Sequence, residues 1–136
     1  MTRRLLKALL LGAALLAPAA VLAQNALPPV STQKSAIFAG TQSITKLISG
    51  IAGKSIYITN ISAHPASTSV LTISYGTGTN CGTGTQAFYG PSTFQAGENV
   101  YDGSGAGAVF VVPAGNAVCV TAATATSVGW VSYAQF

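Results

Sequence analysis

Side chains able to do acid–base, nucleophilic or metal chemistry are scarce in this sequence. It holds one histidine, His64, and two acids, Glu98 and Asp102. A hydrolytic site needs a nucleophile, a base and a group that orients the base. Serines and threonines abound, yet no nucleophile-elbow sequence frames any of them. His64 precedes Pro65 in the stretch Ala63–Ser67, which reads as a loop, so a solvated histidine is expected there. Glu98 and Asp102 could act as paired glycosidase carboxylates. Four extended steps would hold them roughly 13 Å apart, too far for either mechanism unless a turn intervenes. With Asn99 they could offer hard oxygens to calcium, but the spacing is not that of a calcium loop. Cys81, Cys119 and His64 are too few and too scattered for zinc. The expectation is a protein with no catalytic residues, no metal and no cofactor.

Cys81 and Cys119 are the only cysteines. In an exported chain they would form a disulfide; in a reducing compartment they would stay free thiols. Cys81 lies within a duplication, Gly76-Thr77-Gly78-Thr79-Asn80-Cys81-Gly82-Thr83-Gly84-Thr85. Alternating glycine and threonine suits a tight loop or ribbon, in which glycine bends and threonine stays extended. A phosphate-cradling loop would end on Lys-Ser or Lys-Thr and open a helix, and this one does neither. Asp102–Gly107 reads as a glycine-rich surface turn, and Pro113-Ala114-Gly115-Asn116 as a turn into the strand of Cys119.

The elements that must carry these residues follow from composition and pattern. The 136 residues suffice for one domain, with 49% hydrophobic and 6% charged. Arg3, Arg4 and Lys7 precede an uncharged apolar run, Ala8–Ala23, and Val21-Leu22-Ala23 offers small residues at a cleavage site before Gln24. Residues 1–23 therefore read as a signal-peptide-like leader helix, the alternative being an interfacial helix that is kept. Residues 24–34, rich in Pro, Ser and Gln, read as a flexible arm. Beyond the leader, three lysines (Lys34, Lys46, Lys54) face two acids, a net charge of +1. No basic cluster exists to neutralise phosphates, so nucleic acid is excluded as a partner. Membrane contact is expected only through the leader, for no other apolar run is long enough to span. So little charge gives little colloidal repulsion, which favours self-association.

Residues 35–136 alternate short β-rich runs with Gly, Asn and Ser clusters, the pattern of an all-β sandwich or barrel. The runs are 36–39, 43–48, 55–61, 69–75, 87–89, 93–95, 109–112, 117–121 and 127–136. Ile56 and Ile58 share one face of their run, as do Leu71, Ile73 and Tyr75 of theirs. In the last run Val128, Trp130, Ser132, Ala134 and Phe136 share one face, and Gly129, Val131, Tyr133 and Gln135 the other. Both faces are partly apolar, which predicts a central strand or a subunit interface. Trp130, Tyr133 and Phe136 are the candidate interface residues, and burial of Trp130 would make its loss cost several kcal/mol. Tyr57, Tyr89, Phe94 and Tyr101 are candidates for stacking on a glycan, against the alternative that most of them pack internally.

The segments LISGIAGKSIYITNIS (47–62), YGTGTNCGTGT (75–85), PAGNAVCV (113–120) and the closing VGWVSYAQF (128–136) resemble, in this order, small proteins encoded by tailed bacteriophages and prophages. The resemblance spans about Thr45 to Phe136. It implies a β-sandwich and a virion-associated role as decoration, fibre or tail-surface component, and it carries no catalytic residues. The expectation is thus a small antiparallel β-sandwich of jelly-roll type behind a leader helix. It would sit on a virion surface or be exported, and act by contact as a homo-oligomer or against capsid or tail proteins. An exported adhesin or carbohydrate-binding module is the alternative.

Overall fold

Isoleucine, valine, threonine and tyrosine have branched or aromatic side chains that suit a pleated, half-buried surface, and they recur in the segments that become strands. The computed structural model describes residues 32–103 and 107–136, with the backbone alone for 41–42 and 123–127. The leader, and the arm as far as residue 31, lie outside the described residues. Seven strands follow in order: β1 (Lys34–Ile48), β2 (Ile56–Pro65), β3 (Ser69–Thr77), β4 (Thr83–Phe94), β5 (Val100–Gly103), β6 (Phe110–Val112) and β7 (Ala117–Gln135). A 3-10 turn, Thr79–Cys81, is the one other named element among the described residues. Every strand pairing is antiparallel, so the all-β expectation holds.

The strands form two layers joined through β1 and β7. In layer A, residues 117–122 of β7 lie between β3 and the second half of β1, and β4 pairs outside β3. In layer B, residues 127–135 of β7 lie between β2 and the first half of β1, and β5 and β6 pair along the far edge of β2. The sequence pattern splits β1 and β7 into two runs each; the structure carries both strands across the corner instead. Over that corner β1 advances from Gly40 to Gln42 while β7 goes from Ala122 to Ser127. The three surplus residues of β7 invert its phase: Val118, Val120 and Ala122 are buried before the corner, Gly129 and Val131 after it. The reading of Asp102–Gly107 as a turn is corrected in part, since Val100–Gly103 pairs with β2 as β5.

The core lies between the layers. Ile56, Ile58 and Ile61 of β2 and Val131 of β7 meet Leu71, Ile73, Val118 and Val120 of layer A, all nearly inaccessible. A two-residue period cannot put both Ile58 and Ile61 inside. The structure solves this with a bulge: Ile58 opposes Tyr133 and Asn60 opposes Ser132, leaving Thr59 surplus. Thr59 is buried, and its hydroxyl donates to the Ser132 carbonyl at 3.1 Å, which satisfies the polar group that the bulge takes inside. One edge of the sandwich is closed by the strands that cross between layers. The other is closed by rings: Phe88 of β4 stacks on Phe110 of β6 at 4.4 Å between centroids, with Tyr75 of β3 against Phe110 at 5.8 Å.

Gly129 shows how tightly β7 is packed. A Cβ there would lie 2.3 Å from the Phe38 ring and 2.4 Å from the Ser62 carbonyl oxygen. The backbone oxygen has little room to retreat, so Gly129→Ala is expected to cost about 2–3 kcal/mol through overpacking. Urea denaturation with a loss below about 0.5 kcal/mol would contradict this placement.

Candidate functional site

One row on the outer face of layer A is covered. Ser74 of β3, Cys119 of β7 and Lys46 of β1 stand in register across it. The Gly-Thr loop folds over this row, and Cys81 bonds to Cys119 with 6.2 Å between their α-carbons. Both cysteines are fully buried. Asn80 and Cys81 adopt left-handed backbone (φ 49° and 58°), which costs energy for residues other than glycine. The disulfide and a hydrogen bond from the Thr85 hydroxyl to the Cys81 carbonyl hold that conformation. Gly76 is required beneath the loop, because a Cβ there would sit 2.8 Å from the Cys81 carbonyl oxygen. An open cleft of about 170 Å³ lies beside the loop, lined by Lys46, Ser49 and Thr77 among glycines.

Among the described residues, no loop or further strand lies over most of the outer face of layer B. Its rows follow from the register. Ala39, Val128 and His64 form one; Ile37, Trp130, Ser62 and Tyr101 the next; Ser35, Ser132, Asn60 and Gly103 a third; Ala134, Tyr57 and Val111 a fourth; and Phe136 closes the end. These rows hold no lysine, arginine, aspartate or glutamate. Of the eight large hydrophobic side chains exposed among the described residues, six stand here: Ile37, Tyr101, Val111, Val128, Trp130 and Phe136. Concentration of exposed apolar groups on one uncharged face is the mark of a contact surface.

The structure divides the candidate residues. Trp130, at 43% exposure, and Phe136, at 44%, belong to the outer face of layer B, while Tyr133 points inward and packs against the core. Tyr101 (66% exposed) and Tyr57 are on that outer face too, and Tyr57 meets the Phe136 ring edge-on at 5.7 Å. Tyr89 and Phe94 pack against the core instead. Ile37 and Val111 are not marked as surface residues by sequence, because short runs such as AIFA and VFVV do not reveal which face is covered. β7 is central, as its two apolar faces predict. His64 belongs to β2 and not to a loop, and its Nδ1 lies 2.9 Å from the Asn99 Oδ1.

Glu98 and Asp102 stand on different elements. The Glu98 carboxylate accepts from the Gln95 backbone N–H at 2.9 Å in a turn, and Asp102 stands on β5. Burial, then Asp102, then Glu98 push the Tyr89 phenol above its ordinary range, since all three disfavour phenolate. Its contribution to stability is therefore full below the ordinary tyrosine range and is lost as pH rises through the folded value. No cluster of three or more metal-ligating side chains occurs among the described residues.

No family model, curated protein or solved structure matches the chain.

The Cys81–Cys119 bond closes a loop of 38 residues. Reducing it is expected to lower the unfolding free energy by about 4 kcal/mol on the chain-entropy relation. The β spectrum should persist, because the two cysteines pack with Ala117 in a satellite cluster apart from the main core. Denaturant titrations with and without reductant that differ by less than about 1 kcal/mol would show that the loop holds itself.

Proposed function

We propose that this protein is a non-enzymatic structural component of a particle surface, of the virion-associated decoration or fibre kind, acting by protein–protein contact through the outer face of layer B. The observation that supports this is the gathering of six exposed apolar side chains on one uncharged sheet face. Such a face gains from shape-matched apolar burial and gives a charged partner nothing to pair with. The antiparallel sandwich is of jelly-roll type in this reading, and the leader directs export or is removed on the way to the surface. An oxidised Cys81–Cys119 pair is compatible with a place outside the reducing cytosol. An exported adhesin or carbohydrate-binding module is the second reading, favoured by the Trp130 and Tyr101 rings that flank the Ser62 hydroxyl in one row.

Mass spectrometry of purified particles separates the two readings, since the first places the chain among capsid or tail proteins. Trp130→Ala is expected to weaken particle association at least tenfold, as a central aromatic anchor does. Because Trp130 is nearly half exposed, the same change should cost only about 1 kcal/mol of stability. Unchanged particle association, or glycan-array binding that Tyr101→Ala abolishes, would favour the second reading.

A further inference from the structure

We propose that the outer face of layer B is a two-fold interface between two copies of this chain, in which a row of large side chains on each copy seats over a row of small ones on the other. This rests on the protein-contact reading above and names the partner.

The register supplies the shape. One row reads Ile37, Trp130, Ser62, Tyr101 across β1, β7, β2 and β5. The adjacent row reads Ser35, Ser132, Asn60, Gly103 across the same four strands in the same order. The rows are two residues apart on every strand, about 6.6 Å, and both point outward. The first is a ridge and the second a trough. The trough has a second wall, the Tyr57 and Phe136 rings beyond it.

Consider a two-fold axis that runs across the strands midway between ridge and trough, in the plane where two such faces meet. It leaves the strand order in place and exchanges the rows. Ile37 of one copy then lies over Ser35 of the other, Trp130 over Ser132, and Tyr101 over Gly103. Each large side chain meets a small one, and each contact occurs twice, as an isologous interface requires. Ser62 falls over Asn60 of the second copy. Both are half-buried polar residues, so this contact sets polar groups against each other.

Charge and area fit a second copy. The face carries no lysine, arginine, aspartate or glutamate, so two such faces meet with little repulsion and little cost of desolvating ions. Eight residues along β7 and three strand spacings across give about 27 by 14 Å, or about 400 Å² of flat sheet per copy. That is about half of the roughly 800 Å² per partner of a standard interface, so the dimer is weak, with a dissociation constant in the micromolar range or above.

Sedimentation equilibrium of the purified protein from about 10 μM to about 1 mM tests this range of affinity. The expected result is a monomer–dimer equilibrium. Trp130→Ser should raise the dissociation constant at least tenfold, by removing the ridge. Ser132→Trp should do the same by filling the trough, although it adds apolar surface. Ser35→Trp, at an exposed position on the same row, replaces it if that variant fails to fold by circular dichroism. A face that is merely sticky would associate more tightly with either added tryptophan, and that result overturns the proposal. A monomer at every concentration, or a trimer, overturns it also. A monomer that still loses particle association on Trp130→Ala would discard the two-fold contact and leave the protein-contact reading standing. Loss of both would discard both.

Discussion

One strand is bound into both layers, and the rest of the fold depends on it. β7 is hydrogen-bonded to β3 over 117–122, to β2 over 127–135, and to β1 along both stretches. The layers cannot separate without breaking β7, and neither can slide without shifting the register of the other. Most sandwiches hold their sheets together by side-chain packing alone. Here a continuous backbone ladder adds to that packing. It also makes the corner decisive: three surplus residues in β7 invert its phase, so that Val118, Val120 and Ala122 face the core in layer A, while Val128 and Trp130 face outward in layer B. Without that inversion Val128 and Trp130 would enter the core, and Gly129, shaped to lie against Phe38, would face outward.

The same alternation shows what could be read directly from the residues and what could not. The all-β class, the central position of the last run, and the shared face of Val128, Trp130 and Phe136 follow from period-two alternation within one uninterrupted strand. The sharing of faces between Ile56 and Ile58 is equally local. Reading fails where pairing, and not propensity, decides. Nothing in Ile58-Thr59-Asn60 announces a bulge, because threonine is as good a strand residue as any; the bulge exists because Ile61 must follow Ile58 into the core. β5 is short and polar, and is a strand only because β2 offers it an edge. Tyr133 looks like Trp130 by residue type and faces the opposite way by one step of the pleat.

The candidate site was partly legible for a related reason. Aromatic residues on a charge-poor chain are visible as a set, but whether a ring is covered depends on the strands and loops that reach it. Tyr89 and Phe94 are drawn inward because β4 packs its edge against the core, whereas Tyr101 lies on β5, beyond which no described strand pairs. Ile37 completes the row of Trp130 only through the register of β1 with β7, a pairing nearly a hundred residues long in sequence. Contacts at that separation leave no periodic trace in either segment.

The two outer faces show that exposure here is selective. Layer A spends the loop of residues 78–82, one glycine with no room for a side chain, two left-handed residues and a disulfide on covering the row around Cys119. Among the described residues, layer B leaves a face with six exposed large apolar side chains uncovered. A chain with so few charges has little repulsion to keep its copies apart, and an open apolar face favours contact with a complementary surface. Burying it internally would require only another loop of the kind that layer A already has. That the described residues place this covering on the more polar face and not on the apolar one is accounted for, on the reading proposed above, if another molecule covers the apolar face.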